Sequence, residues 1–518
     1  MKALRRYLFG VVVPLLMLYA AIPAAEARPA AFHTYYVDCA HGDDSAPGTD
    51  AAHPWRTLKR ASAMTYKARD RILFRRGTSC SGTFAPKGSG SAAAPISVDA
   101  YGSGPAPKIV AGGALTAVYL YNVEGWEVRN LDVSNLGPAP GPADVRYGIF
   151  VKLKDYGVGH HFVIENVSVH DVNGCDCQER HTPDSSAGIG VKAAGSTTPT
   201  SLDDVLIQGN TISRVGPEGI ATQSDWQHRP EFPSGKGTQF VPLTRVQILR
   251  NSLDTIAGDG ILTFNTTRAH VAHNALRNYG ADTNLHRSGI ATGNADDTVV
   301  EHNTVTDAHG RLPSVAYDID HASNNTVFQY NFSRDNNGGA LFECNSLGET
   351  ADHNVYRFNI SQDDGDSNSN GFAVVFAPCS PAKDVSVYGN TFFTRKADRM
   401  IAASGTMSVE FFDNIFVGKP GGSAINDSHG VYHDNLYSSI TTVPAGDPHA
   451  VTGDPLLAAP GTATGPDDAQ GYQLRAGSPA LGVGALIPNA GGRDFFGNPV
   501  PPVSPNLGAY QGGGVPDS

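Results

Sequence analysis

The chain has 518 residues, of which only 17% are charged, and carries a formal net charge of −12. That sign excludes a general nucleic-acid binder, which needs a basic footprint, and the 40% hydrophobic content excludes a disordered chain. The 58 Gly and 34 Pro, with many Asn, Thr and Val, argue for β-structure with frequent turns.

At the N-terminus, Lys2, Arg5 and Arg6 precede an apolar run from Tyr7 to Ile22, and Ala25-Glu26-Ala27 forms an A-x-A site. Residues 1–27 read as a signal peptide cut after Ala27, so the product is expected to be secreted or periplasmic. No later stretch is apolar enough to span a membrane. Residues 28–105 are expected to form a capping segment and the first coils, with a short helix around Thr57 to Met64 over the open end of the core. The six cysteines of an exported chain should pair. Cys39 and Cys80 fall in one unit, Cys344 and Cys379 in another, and Cys175 and Cys177 form a C-x-C, with the connectivity left open.

A repeat occupies residues 106–442. Asparagines recur in apolar-flanked turns at Asn130, Asn166, Asn210, Asn251, Asn274, Asn303, Asn331, Asn359, Asn390, Asn414 and Asn435, at intervals from 21 to 44 residues. Between them lie Gly148-Ile149, Gly188-Ile189, Gly219-Ile220, Gly260-Ile261 and Gly289-Ile290, with Tyr317 in the glycine place before Asn331. One such unit cannot bury its own apolar face, whereas stacked units can. The fold class is therefore all-β, a right-handed parallel β-helix with an N-terminal cap. An asparagine ladder is expected through Asn274, Asn303, Asn331 and Asn359. The Pro- and Gly-rich segment 443–518 should pack as an irregular tail on the solenoid.

The opening TYYVDCAHGDDSAPGTDAAHPWRTLKRA, followed by DRILFRRGTSCSGTF and PISVDAYGSGPAPKIVAGG, resembles the start of secreted right-handed β-helix proteins of the pectate-lyase-like superfamily. The closing DPLL, YQLRAGSPALGVG and RDFFGNPVPPVSPNLGAYQ resemble their final segment. The resemblance implies a carbohydrate-active protein outside the cytoplasm, with a polysaccharide or oligosaccharide as partner, no nucleic acid and a monomeric state.

Long loops at Asp171–Ala187, Arg277–Ser288, Asp307–Ala316 and Asp225–Leu243 flank the Gly-Ile strands and should wall a groove. Its floor contains Tyr317-Asp318-Ile319-Asp320-His321. With Ile319 inside, Asp318 and Asp320 point out. If Phe342 of the next coil stacks on Ile319, Glu343 lies beside Asp320; a one-residue slip puts it on His321. Two stacked carboxylates repel, so one keeps its proton, and the pair supplies the acid and base that glycosidic cleavage requires. Asp320 and Glu343 are therefore the leading catalytic candidates, with Asp318 and Asp335 in support. Glu218 and Asp259 form a second candidate pair. Trp226, Asp225, His286, Arg287, Arg334 and Asp335 are candidate substrate-binding residues.

A competing chemistry follows from a second resemblance. Tyr317, Asp320 and His321 are similar to the Y-G-F-D-P-H motif of mannuronan C5-epimerases, with His321 one residue early and the proline missing. This implies a uronan lyase or epimerase with Tyr317 and His321 as catalytic groups and Arg334, Arg287 or Lys192 neutralising the uronate. A non-catalytic glycan-binding role is the third reading. No cofactor is required by the leading reading. Calcium is the candidate ion, at Asp364, Asp366 and Asn368, whose D-x-D-x-N spacing offers hard oxygen ligands.

Overall fold

The computed structural model describes residues 32–175, 185–281, 285–310, 312–345, 348–366, 373–377, 382–403, 408–487 and 491–516. The leader, Cys177, Asn368 and Cys379 lie outside these residues. The chain is a right-handed parallel β-helix. Three long parallel sheets of 15, 14 and 11 strands run along it, and each coil between Thr116 and Asp427 contributes a strand to each in turn. One coil illustrates the path: Val299–Glu301 in the first sheet, Thr304–Thr306 in the second, Val315–Asp320 in the third, then Val327–Gln329 back in the first.

The turn between the first and second sheets is tight, and the asparagine ladder fills it. Asn303 shows the pattern. Its Oδ1 accepts from the main-chain N–H of Asn274 at 2.9 Å and from Asn274 Nδ2 at 3.0 Å, while its own Nδ2 donates to Asn331 Oδ1 at 3.0 Å. The ladder runs from Asn210 through Asn251, Asn274, Asn303, Asn331, Asn359, Asn390 and Asn414 to Asn435, and ends on Asp447. It thus extends beyond the four positions expected. Asn130 and Asn166 stand one residue early. They take the left-handed turn position, at φ 56° and 54°, and leave the ladder place to Leu131 and Val167. Asparagine suits that position because it tolerates positive φ better than most residues.

The inward stack of the third sheet is Ile149, Ile189, Ile220, Ile261, Ile290, Tyr317, Leu341, Val375, Ile401 and Ile425. Tyr317 therefore occupies the isoleucine place, not the glycine place. The N-terminal end is closed by the helix Leu58–Ser62, whose Thr57 side chain accepts from Arg60 N, and by the Cys39–Cys80 disulfide. Cys175 and Cys344 are also disulfide-bonded. The tail lays Leu457, Tyr472, Leu474, Leu507 and Tyr510 against Phe332, Ile360, Ile415 and Leu436 of the solenoid. No helix among the described residues is long and apolar enough to cross a membrane.

Candidate active site

The strand Val315–Asp320 carries the centre of the site. Tyr317 and Ile319 point inward and are 0% and 1% exposed, so period-2 alternation turns Asp318 and Asp320 to the outer face. Two residues of strand place their Cα atoms about 7 Å apart. Both line a cavity of about 50 Å³ with His286, Arg287, Ser288, Val315 and Phe342. Ser288 Oγ donates to Asp318 Oδ2 at 2.6 Å. The main-chain N–H of Ser288 donates to Asp259 Oδ1 at 2.6 Å, and Arg287 pairs with Asp259 at 3.5 Å, both side chains buried. Asp259 thus holds the Arg287–Ser288 wall, and Glu218, likewise buried, occupies the matching position on the preceding coil. His286 Nδ1 donates to Pro313 O at 3.0 Å.

Asp320 accepts from the main-chain N–H of His321 at 3.0 Å, and its other oxygen lies 3.3 Å from His321 Nε2. His321 Nδ1 lies 2.7 Å from Glu349 Oε2. The loop 225–243 crosses this end of the sheet as a strap. Its Phe232 packs on Phe264 and on the His321 ring. Its Arg229 pairs with Asp296 at 2.6 Å and donates to Ala322 O. Its Glu231 carbonyl accepts from Thr350 N at 3.1 Å.

The register corrects the expected Asp320–Glu343 pair. Leu341, not Phe342, fills the inward stack against Tyr317, so Phe342 lies beside Asp318 and Glu343 beside Ile319. Glu343 therefore points into the coil, where Asn354 Nδ2 donates to it at 3.3 Å. Burial pushes its carboxyl well above the usual carboxylate range, and Asp318 and Asp320 add to the rise. Phe342 instead presents a ring to the groove, 5.6 Å from Phe376.

Other expected site residues fall elsewhere. The Tyr317 hydroxyl points into the core, 3.1 Å from Asn303 O and 2.9 Å from Phe332 O, and burial raises its pKa well above the usual tyrosine value, which disfavours the phenolate a base would need. Trp226 is 2% exposed and packs in the core, which removes it as a sugar-stacking ring. Asp225 pairs with Lys192 at 3.2 Å. Lys192 stands four strands from Asp320, about 19 Å along the sheet. Arg334 pairs with Asp307 and Asp335, and Asp335 also with Lys396. Asp335, Asp366 and Lys396 line a separate depression of about 230 Å³. Asp364 is not placed to join Asp366 around a calcium ion. It is wholly buried and accepts from Ser333, Ser361 and Asn336. Burial pushes it up to about 6. Among the described residues no cluster of three or more His, Cys, Asp or Glu could hold a metal.

The sequence reading passed over Ser288, Phe342 and Glu349. Ser288 adjoins the named Arg287, and Phe342 was assigned inward because it is apolar. Glu349 comes from a loop whose position nothing local announces.

No protein-family model matches the chain. Among curated proteins it is similar to a lacto-N-biosidase of Bifidobacterium longum subsp. longum, at 23% identity over 92% of this chain and 36% of that protein. The chain thus spans about a third of that relative's length. Among solved structures it is similar to a GH136 lacto-N-biosidase from Eubacterium ramulus, with TM-score 0.58 and 22% identity over 82% of this chain and 67% of that one. It is also similar to XylC in complex with xylose, with TM-score 0.52 and 10% identity over 92% and 98% of the two chains.

Proposed function

We propose that the chain is an exported glycoside hydrolase acting on an oligosaccharide or polysaccharide, with Asp318 and Asp320 as its carboxylate pair. The observation that carries this reading is the pair itself, two carboxylates on one strand opening into one cavity, beside a buried Arg287 and an aromatic Phe342 edge. Their Cα atoms stand about 7 Å apart, and we infer direct attack by a water held between the two carboxyl groups, with inversion at the anomeric carbon. Similarity to a lacto-N-biosidase supports glycoside hydrolysis over proton abstraction from a uronate. The latter reading also loses its phenolic base, because Tyr317 faces the core.

Export is supported by the basic and apolar leader and by the disulfides. N-terminal sequencing of protein recovered outside the cytoplasm should begin at Arg28. The catalytic reading is tested by digesting a glycan panel that includes lacto-N-biosides and xylosides. New reducing ends without unsaturated uronate absorbance are expected, and ¹H NMR should show the inverted anomer first. Absorbance without reducing-end hydrolysis would replace the reading with a lyase. Binding without turnover across the panel would replace it with a lectin-like role.

A further inference from the structure

His321 sits between two carboxylates. Its Nδ1 faces Glu349 Oε2 at 2.7 Å and its Nε2 faces Asp320 Oδ2 at 3.3 Å. A carboxylate only accepts, so ring Nδ1–H donates to Glu349, while Asp320 stands at ion-pair distance from Nε2, an attraction that exists only when the ring carries both protons. The Glu349 side chain is 3% exposed and that of His321 23%, so solvent screens the arrangement weakly.

The surrounding backbone fixes the ring. His321 and Ala322 take positive φ, 37° and 57°, which folds the chain sharply after Asp320. Ala322 N donates to Asn345 Oδ1 at 2.9 Å, and the strap ties down the Glu349 loop through Glu231 O and Thr350 N. Among the described residues, other charged groups also stand near this end of the sheet. Arg229 is paired with Asp296, Glu231 belongs to the strap, and burial favours the neutral form of Glu343 beneath.

We propose that Glu349 holds His321 as an imidazolium, and that this cation, 3.3 Å from Asp320, aims the Asp320 carboxylate into the cavity. The proposal rests on the hydrolase reading for its use, and it divides the roles of the pair. Asp320 takes a proton from water as the water oxygen bonds to the anomeric carbon. Asp318 gives its proton to the glycosidic oxygen as the carbon–oxygen bond breaks, and solvent exchange resets both groups. Glu349 and His321 are positioning residues, acting on the reaction through Asp320.

The test is a ¹⁵N-histidine NMR titration of the full chain, with His321→Gln used to assign the His321 signals. In the wild type at pH 7 both ring nitrogens should show imidazolium shifts. In Glu349→Gln the His321 midpoint should fall by about one pH unit or more, the scale of losing an adjacent opposite charge. On a cleaved glycoside, the alkaline limb of kcat/KM should move down with it, with kcat reduced, KM held within about twofold, and Glu349→Asp restoring part of the loss. A neutral His321 with one fixed tautomer in the wild type, or an unchanged midpoint in Glu349→Gln, would overturn the proposal. Loss of all glycoside cleavage in the wild type would instead overturn the hydrolase reading and leave the NMR result standing.

Discussion

Replacing each aspartate of the pair by asparagine separates chemistry from structure. Asp318→Asn preserves size and keeps an oxygen for the Ser288 hydroxyl, now 2.6 Å away. Asp320→Asn keeps an oxygen for the His321 N–H at 3.0 Å. Both side chains leave the inward stack untouched, so both variants should fold to the same coil stack, with Asp320→Asn also losing the His321 ion pair. Turnover should nevertheless fall about 10²- to 10⁴-fold, or about 3–5 kcal/mol of transition-state stabilisation. Leaving-group dependence then distinguishes the two roles. A dinitrophenyl glycoside departs without a proton, so Asp318→Asn should recover most of its activity on that substrate, whereas Asp320→Asn should remain impaired on both. The assay is steady-state kinetics on the natural glycan and the aryl glycoside, with circular dichroism to confirm folding. A loss below about tenfold in either variant on the glycan would refute the pair. Equal losses on both substrates in Asp318→Asn would refute its role as proton donor.

Glu343→Gln should leave kcat within about threefold of wild type, since the side chain faces the core and burial favours its neutral form; a catalytic-scale loss would restore Glu343 to the mechanism. Asn303→Ala removes the acceptor for two Asn274 donors and should cost about 2–4 kcal/mol in urea unfolding; a cost below about 0.5 kcal/mol would show that the ladder is ornamental. Burial, aided by Asp434 and Asp447, pushes Asp413 up to about 7, above its unfolded value of about 4. Its contribution to stability is therefore full below about pH 4 and lost as pH rises through about 7. Asp413→Asn should raise the melting temperature at pH 8 relative to wild type and do little at pH 4, as differential scanning fluorimetry would read.

The coil repeat was legible because a ladder asparagine and a left-handed turn recur whatever the loop length. The outward placement of Asp318 and Asp320 was legible for a similar reason, since alternation around Ile319 holds within one strand. Between strands the argument weakened. Leu341 and Phe342 are both apolar, and only the turn ahead of Gly339, itself at φ 116°, decides which one reaches the inner stack. That single residue turned Glu343 from the groove into the core. Trp226 and Tyr317 misled for a related reason. Each carries a polar handle suited to a site, yet each satisfies it against main-chain carbonyls inside the fold. Glu349 meets His321 only through a loop held by the strap.

The ladder also bears on how such a site can be remodelled. Each asparagine sets the register of its own coil against the next, and the same two hydrogen bonds recur across intervals from 41 residues, at Asn210 to Asn251, down to 21, at Asn414 to Asn435. Chain inserted before or after the third-sheet strand therefore does not propagate down the stack. Doubling a flexible loop costs only about 0.6 kcal/mol in closure entropy. The walls of the cleft can consequently lengthen, shorten or be exchanged one coil at a time while the aspartate-bearing strand keeps its place, which makes the scaffold a fixed bed for interchangeable specificity elements.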